Sequence, residues 1–236
     1  MSNPIDTKPS VVLFSGLATQ KALEAEIFAA FTTETGIAID AHFDPTTELQ
    51  RRFAAGERPD IVIVATPALA SLAADGVIDP STVVPLVTTG IGIGVADGAD
   101  KPDISTVPAL TSALRNARSV AYSQAGQSGI YFRTLIERLG IAAEVDARAT
   151  PLAKGFTGVA VRDGRADLAV QQLSELAFVP GIAIVGPFPD EVQHLTEFAA
   201  ALSNAAAAKP EALALLEFLN GDVARAAYER SGLRAV

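Results

Sequence analysis

Residues 11–43 read VVLFSGLATQKALEAEIFAAFTTETGIAIDAHF, and their order decides the fold class. Val11–Phe14 is a short apolar run closed by Ser15-Gly16, the pattern of a buried strand ending in a tight turn. From Thr19 to Thr33, Ala22, Leu23, Ile27, Ala30 and Phe31 recur at near-helical spacing, and Gly36 sits where a helix stops. Ile37–Phe43 alternates as a second strand. The pattern then repeats, with a helix over Thr47–Ala55 ended by Gly56, a buried strand over Asp60–Ala65 (DIVIVA), and a helix over Pro67–Ala74 ended by Gly76. Strand and helix in regular alternation imply an α/β domain with a parallel sheet.

Beyond this stretch the grammar changes. Pro85–Val95 reads as a strand in which Gly90, Gly92 and Gly94 occupy every second position. One face of that strand has no side chains, so another part of the chain packs close or the strand bends. Asp97–Thr106 is looser. A helix over Val107–Asn116, a strand over Ser119–Tyr122, a small polar loop Ser123–Gly129 and a helix over Ile130–Leu139 follow. A helix over Phe156–Arg162 and strands over Ala166–Gln171 and Ile182–Val185 come next. Thr196–Ala201 returns to the first sheet, the Ala205–Ala208 run is a helix or loop edge, and helices over Glu211–Leu219 and Asp222–Arg230 close the chain. The simplest arrangement is two α/β lobes: residues 1–88 with 195–236, and residues 89–194. Two crossings make a hinge and a cleft, and ligands of open α/β sheets sit beyond the carboxyl ends of the strands.

Composition narrows the function. The 236 residues are 49% hydrophobic and 19% charged, enough for a packed core and too polar in every window for a membrane span. A net charge of -9 argues against binding nucleic-acid phosphates. With no cysteine, disulfides, thiolate chemistry and Cys-type metal sites are excluded; His42 and His194 alone argue against a His-based metal site or triad, and no cofactor is implied. Gly90, Gly92 and Gly94 do not have the spacing of a dinucleotide loop. Met1–Ser10 lacks the basic and apolar regions of a leader, so the chain as written reads as cytoplasmic; a chain trimmed of its leader reads the same and would be periplasmic. A monomer is expected.

The ends of the expected strands share a character. Ser15 and Thr19 follow the first strand, Thr46 and Thr47 the second, Thr66 the third, and Ser123 and Ser128 the strand ending at Tyr122. Lys154 precedes the helix at Phe156, and Gln171 ends the strand ADLAVQ. Hydroxyls, amides and glycines at helix N-termini leave unpaired N–H groups open to a small anion, without any basic side chain. The plainer reading is that Thr19, Thr46, Thr47 and Ser128 only cap helices and that Lys154 is a solvated lysine. Gln171 is less bland, because a buried amide needs partners. His42 reads as an ordinary strand residue, His194 as a crossover residue and Tyr131 as a packing residue.

These pieces, taken in order, resemble the molybdate-binding-protein-like branch of the type II periplasmic solute-binding proteins. The resemblance runs from about Val11 to about Leu233. It is carried by Val11–Leu23, by Phe43 with the small polar turn before Leu49, and by Gly56-Glu57-Arg58-Pro59-Asp60 before Ile61–Ala65. Ser128-Gly129-Ile130-Tyr131 before Arg138-Leu139-Gly140, Gly164-Arg165-Ala166-Asp167-Leu168 and Val185-Gly186-Pro187-Phe188-Pro189 complete it. It implies a two-lobed fold with a hinged cleft, and an oxyanion held by serines of the first two turns, second-lobe backbone N–H groups and a late tyrosine. Here the first serine position falls on Ala18, the second turn is Asp44-Pro45-Thr46-Thr47-Glu48, the backbone donor is Ser128, and the tyrosine position holds Gln171. Those departures point away from molybdate, because carboxylates beside a dianion repel it.

Two functions follow. The first is a solute-binding protein that clamps a small anion, an organic carboxylate before a metal oxyanion, through Ser15, Thr19, Thr46, Thr47, Thr66, Ser123, Ser128, Lys154 and Gln171. Its partner would be an ABC transporter permease if the chain is exported. The second is a cofactor-free isomerase on the same scaffold, since the broad group also includes aconitate isomerase. Proton abstraction beside a carboxylate needs a base, for which Lys154 and Glu48 are the first candidates, with Asp44 beside them.

Overall fold

The computed structural model describes residues 9–236; residues 1–8 of the amino-terminal stretch read above lie outside them. Strand β1 (Ser10–Ser15) runs parallel to β2 (Ala38–Phe43) on one side and β3 (Ile61–Ala65) on the other. Side chains alternate across β1 and β3. Val11, Leu13, Ile61 and Ile63 pack on one face with Phe31 and Tyr228. Phe14, Val62 and Val64 pack on the other with Leu49 and Phe53. A strand covered on both faces carries no polar positions, which is why DIVIVA is apolar throughout after its aspartate. Residues 17–35 link β1 to β2 as one helical stretch interrupted by a π turn at Leu23–Ile27 and stopped by Gly36 at φ 71°.

The parallel sheet expected from the opening grammar proves mixed. Strand β9 (Leu195–Leu202) inserts antiparallel between β3 and β4 (Val84–Ala96), and β10 (Arg234–Ala235) pairs with β4 as well. Returning segments at the chain's end carry no periodic mark of their direction, so the alternation at the start could not reveal this. In the second lobe β5 (Val120–Ser123) lies between β6 (Thr150–Leu152) and β7 (Leu168–Gln172), parallel to both. The far half of β4 pairs antiparallel with β7 and β8 (Ile182–Pro187).

Strand β4 therefore belongs to both lobes. Its partner is β9 up to Gly90, and β7 and β8 from Ile91 onward. The alternating glycines are explained by close approach. A Cβ on Gly92 would lie 2.4 Å from Leu173 Cδ2 and 2.5 Å from the Gly186 carbonyl, and one on Gly94 would lie 2.8 Å from Ile182 Cγ2. Short elements not foreseen include helices Ala142–Asp146 and Leu173–Leu176, β6 and β10. The helix expected from Ile130 starts earlier, at Gln127, with Gly126 as an extended cap. Gln127-Ser128-Gly129 reads as a loop because serine and glycine are weak helix formers. Ala205–Ala208 forms turns. Among the described residues no helix is long and apolar enough to cross a membrane.

Candidate functional site

A cleft lies where the two lobes meet. Gly16, Leu17, Pro45 and Thr46 line it from the first lobe; Ser123, Gly126, Gln127, Ser128, Gln171, Gln172 and Glu175 line it from the second. Its free volume is about 20 Å³, room for about one water molecule, so the lobes meet closely here.

From the first lobe, the helix Thr46–Ala54 points its start at the cleft, with Pro45 as an extended cap and Thr46 buried in the first turn. The first-turn N–H groups of any helix lack intrahelical partners. Thr47, the next residue, is exposed and does not line the cleft. The acidic residues of this turn are drawn aside. The Asp44 carboxylate accepts from Arg52 at 2.9 Å, and Glu48 accepts from Arg51 at 2.6 and 2.9 Å. Those Arg51 bonds hold the Glu48 carboxyl below its usual range, with smaller pulls from the charges of Arg51, Arg52 and Lys154.

Ser15 and Thr19 have a different place. Both are fully buried, their hydroxyls bonded to each other at 2.8 Å, and Ser15 also donates to the Gly16 carbonyl at 3.0 Å. They brace the turn beneath Gly16 and Leu17 and do not line the cleft. Thr66 donates to the Glu197 carboxylate at 2.7 Å, also outside the cleft lining.

In the second lobe the Ser123 hydroxyl accepts from the Gly126 N–H at 2.9 Å and the Ala125 N–H at 3.3 Å, which shapes the turn into the helix Gln127–Arg138. Gly129 allows that helix to sit on the strand end, since a Cβ there would lie 1.6 Å from the Ser123 carbonyl oxygen. Ser128, 2% exposed, thereby comes to the cleft in the helix's first turn. Gln171 is 1% exposed; its Oε1 accepts from the Thr157 N–H at 2.7 Å and the Thr157 hydroxyl at 2.9 Å, and its Nε2 donates to the Gly155 carbonyl at 3.3 Å. Gln172 Nε2 donates to the Thr196 hydroxyl at 2.9 Å, tying the end of β7 to the start of β9. Lys154 is exposed and stays outside the lining; its charge reaches Glu48 of the opposite lobe.

Of the nine ligand candidates, Thr46, Ser123, Ser128 and Gln171 meet in the cleft. Sequence reasoning passed over Glu175. It is 8% exposed, on the short helix Leu173–Leu176, and burial pushes its carboxyl up to about 8 against weaker downward pulls from the Gln172 N–H and the Gln171 side chain. The available signal was a glutamate three residues after Gln172, the spacing of an N-terminal capping pair, just past a buried strand. Tyr131, expected to pack, and His194, expected at the crossover, meet each other. Tyr131 donates to the Val192 carbonyl at 2.8 Å and stacks on His194 with centroids 4.7 Å apart.

Two lobes joined through a shared strand, with helix starts facing across a cleft, define a type II solute-binding protein. Comparison with known proteins agrees. The family profile described as bacterial extracellular solute-binding protein matches residues 11–234, and the chain belongs to that family. It is 36% identical over 217 residues to an aconitate isomerase of Pseudomonas sp., covering 89% of this chain and 82% of that protein. Among solved structures, the periplasmic molybdate-binding protein of Azotobacter vinelandii superposes with a TM-score of 0.78 at 17% identity, over 94% of this chain and 98% of that one. PEB3 of Campylobacter jejuni, solved with L-phospholactate bound, superposes with a TM-score of 0.70 at 17% identity, over 95% and 99%.

Proposed function

We propose that the chain binds a small organic carboxylate between its lobes. The observation that carries this reading is the meeting, in one cleft, of two helix starts from opposite lobes with the neutral polar groups of Thr46, Ser128 and Gln171, and with no lysine or arginine in the lining among the described residues. Each helix start offers first-turn N–H groups and about half a positive charge. Hydrogen bonds to a charged group contribute about 1.5–3 kcal/mol each, so four or five meet the roughly 8 kcal/mol of a micromolar complex, with surplus against the cost of ordering. Residues 1–88 with 195–236 would move against residues 89–194 about β4 and the strand that follows His194, opening the cleft for entry. Calorimetry against succinate, citrate, trans-aconitate and molybdate tests the reading: heat with a carboxylate and none with molybdate is expected, and silence from every carboxylate removes it. Delivery to an ABC transporter permease follows if the protein is exported.

A second reading, cofactor-free isomerisation of a polycarboxylate, is favoured by the aconitate isomerase relative and by the buried Glu175 carboxyl. Moving a double bond by a proton shift needs one group to take a proton from one carbon while another proton is returned at the far carbon. Glu48 is held by Arg51 and Lys154 lies outside the lining, so neither suits that role; Glu175 faces the cleft, and its ionised form would take the proton while the acid so formed returns it at the far carbon. Following trans-aconitate by NMR tests it; appearance of the cis isomer supports the reading, and unchanged substrate at high protein concentration removes it.

A further inference from the structure

Among the described residues Glu175 is the single ionisable one of the cleft lining, and it is the feature the binding reading leaves unused. Its Oε2 accepts one long bond, 3.3 Å, from the Gln172 N–H at the start of its own helix. No charge figures among the influences on it. The turn Leu17–Thr19 and strands β4, β7 and β8, which pack against its helix, carry no ionisable side chain. A cation does reach the other end of that helix, where Lys21 Nζ donates to the Ala177 carbonyl at 3.1 Å. A buried carboxylate needs a paired cation or several strong donors, and one long bond with the weaker pull of the Gln171 side chain supplies neither. The stable form in the closed cleft is the neutral acid, with an O–H to give.

We propose that Glu175 is the proton-carrying residue of the cleft: it enters the complex as a neutral carboxylic acid and donates its O–H to an anionic oxygen of the guest. This rests on the carboxylate-binding reading and adds a rule of recognition to it. A neutral acid completes an anion site that contains no cation, whereas the ionised form would repel the same guest. Anion capture is then coupled to one proton.

The test is calorimetry from pH 6 to pH 9.5 with succinate and trans-aconitate as probes, in two buffers of different ionisation heat. The wild type is expected to bind evenly at low pH and to lose affinity toward tenfold per pH unit above about pH 8, the value to which burial lifts this carboxyl. Above that point each binding event is expected to take up about one proton, read from the difference in heat between buffers. Glu175→Gln keeps a donor that cannot ionise, so its affinity is expected to stay level from pH 6 to pH 9.5, the alkaline loss abolished. Lys21→Met, which removes the cation at the far end of the helix, is expected to retain the wild-type profile. A flat wild-type profile without proton uptake overturns the proposal even if Glu175→Gln fails to fold, and so does an alkaline loss that persists unchanged in Glu175→Gln. Binding that ignores pH removes only the role of Glu175, while absence of binding to either probe at every pH removes the carboxylate reading and this inference with it.

Discussion

At the end of β1, Ser15 turns inward to Thr19 and is sealed; at the end of β5, Ser123 shapes a turn whose next helix brings Ser128 to the cleft. Both sites are strand, small polar turn and helix. What separates them is how closely the helix approaches the strand. After β5, Gly129 lets the helix start sit against the Ser123 carbonyl, and Ser128 of its first turn lines the cleft. After β1, the chain enters a 3-10 turn at Leu17–Thr19, and a hydroxyl pair fills the space below. The same residue types brace in one lobe and present in the other.

Substituting one glycine in each turn tests that contrast most severely. A Cβ on Gly129 would overlap the Ser123 carbonyl oxygen at 1.6 Å, whereas one on Gly16 would meet Phe198 Cε1 at 3.4 Å, an ordinary contact. Gly129→Ala is expected to cost about 3 kcal/mol or more, a fall in Tm of roughly 6–12 °C for a chain of this size. Gly16→Ala, in a backbone conformation open to alanine, is expected to cost less than about 1 kcal/mol. Thermal unfolding followed by circular dichroism checks both, and equal losses would erase the distinction between the turns.

Between the turns sits Glu175, and its burial gives stability a pH dependence that neither serine can produce. The folded protein keeps a proton up to about pH 8 that the unfolded chain releases near the ordinary 4.5. Unfolding between those values releases a proton, so the contribution is full below about pH 4.5, shrinks as pH rises and is gone above about 8. The slope approaches about 1.4 kcal/mol per pH unit. Urea unfolding of wild type and Glu175→Gln at pH 5.5, 6.5 and 7.5 is expected to show the variant gaining on the wild type by that slope.

The sequence announced the scaffold better than the site. The opening strands and the glycine helix stops could be read because each follows from periodicity or from a backbone that only glycine adopts. Gly90, Gly92 and Gly94 even signalled a close neighbour, although Leu173, Gly186 and Ile182 could not be named. The site was half visible. Thr46, Ser123, Ser128 and Gln171 came from counting polar residues at strand ends, but the same count gathered Ser15, Thr19, Thr47 and Thr66, whose direction depends on a helix start shifted by one or two residues. Glu175 was hidden because a glutamate three residues into a helix reads as a capping residue on a wet surface. The packing of Leu17–Thr19, β4, β7 and β8 against its helix makes it dry.

The hydroxyls themselves give a sharper comparison of smaller size. Ser15→Ala removes the partner of a fully buried Thr19 hydroxyl and is expected to cost about 1 kcal/mol of stability with anion affinity unchanged within about twofold. Ser128→Ala removes a group at the cleft and is expected to weaken carboxylate binding about fivefold to tenfold with stability nearly intact. Calorimetry and urea unfolding on the same two variants read both quantities. A Ser15→Ala protein that loses affinity would move the first turn into the site.

The least effect is expected at the rim, and it decides whether the cleft is neutral in function as well as in lining. Lys154 is exposed, and its charge reaches Glu48 across the two lobes. An exposed charge acts through solvent and salt: it steers an approaching anion and contributes less than about 1 kcal/mol once the anion is bound. Lys154→Gln is therefore expected to slow association modestly at low ionic strength, to lose that difference above about 0.15 M salt, where charges are screened within roughly 8 Å, and to leave equilibrium affinity within about threefold. Stopped-flow association at two salt concentrations separates the rate from the affinity. A loss beyond tenfold that persists in salt would put the lysine inside the closed site, and an anion held by a cation would no longer need a proton on Glu175.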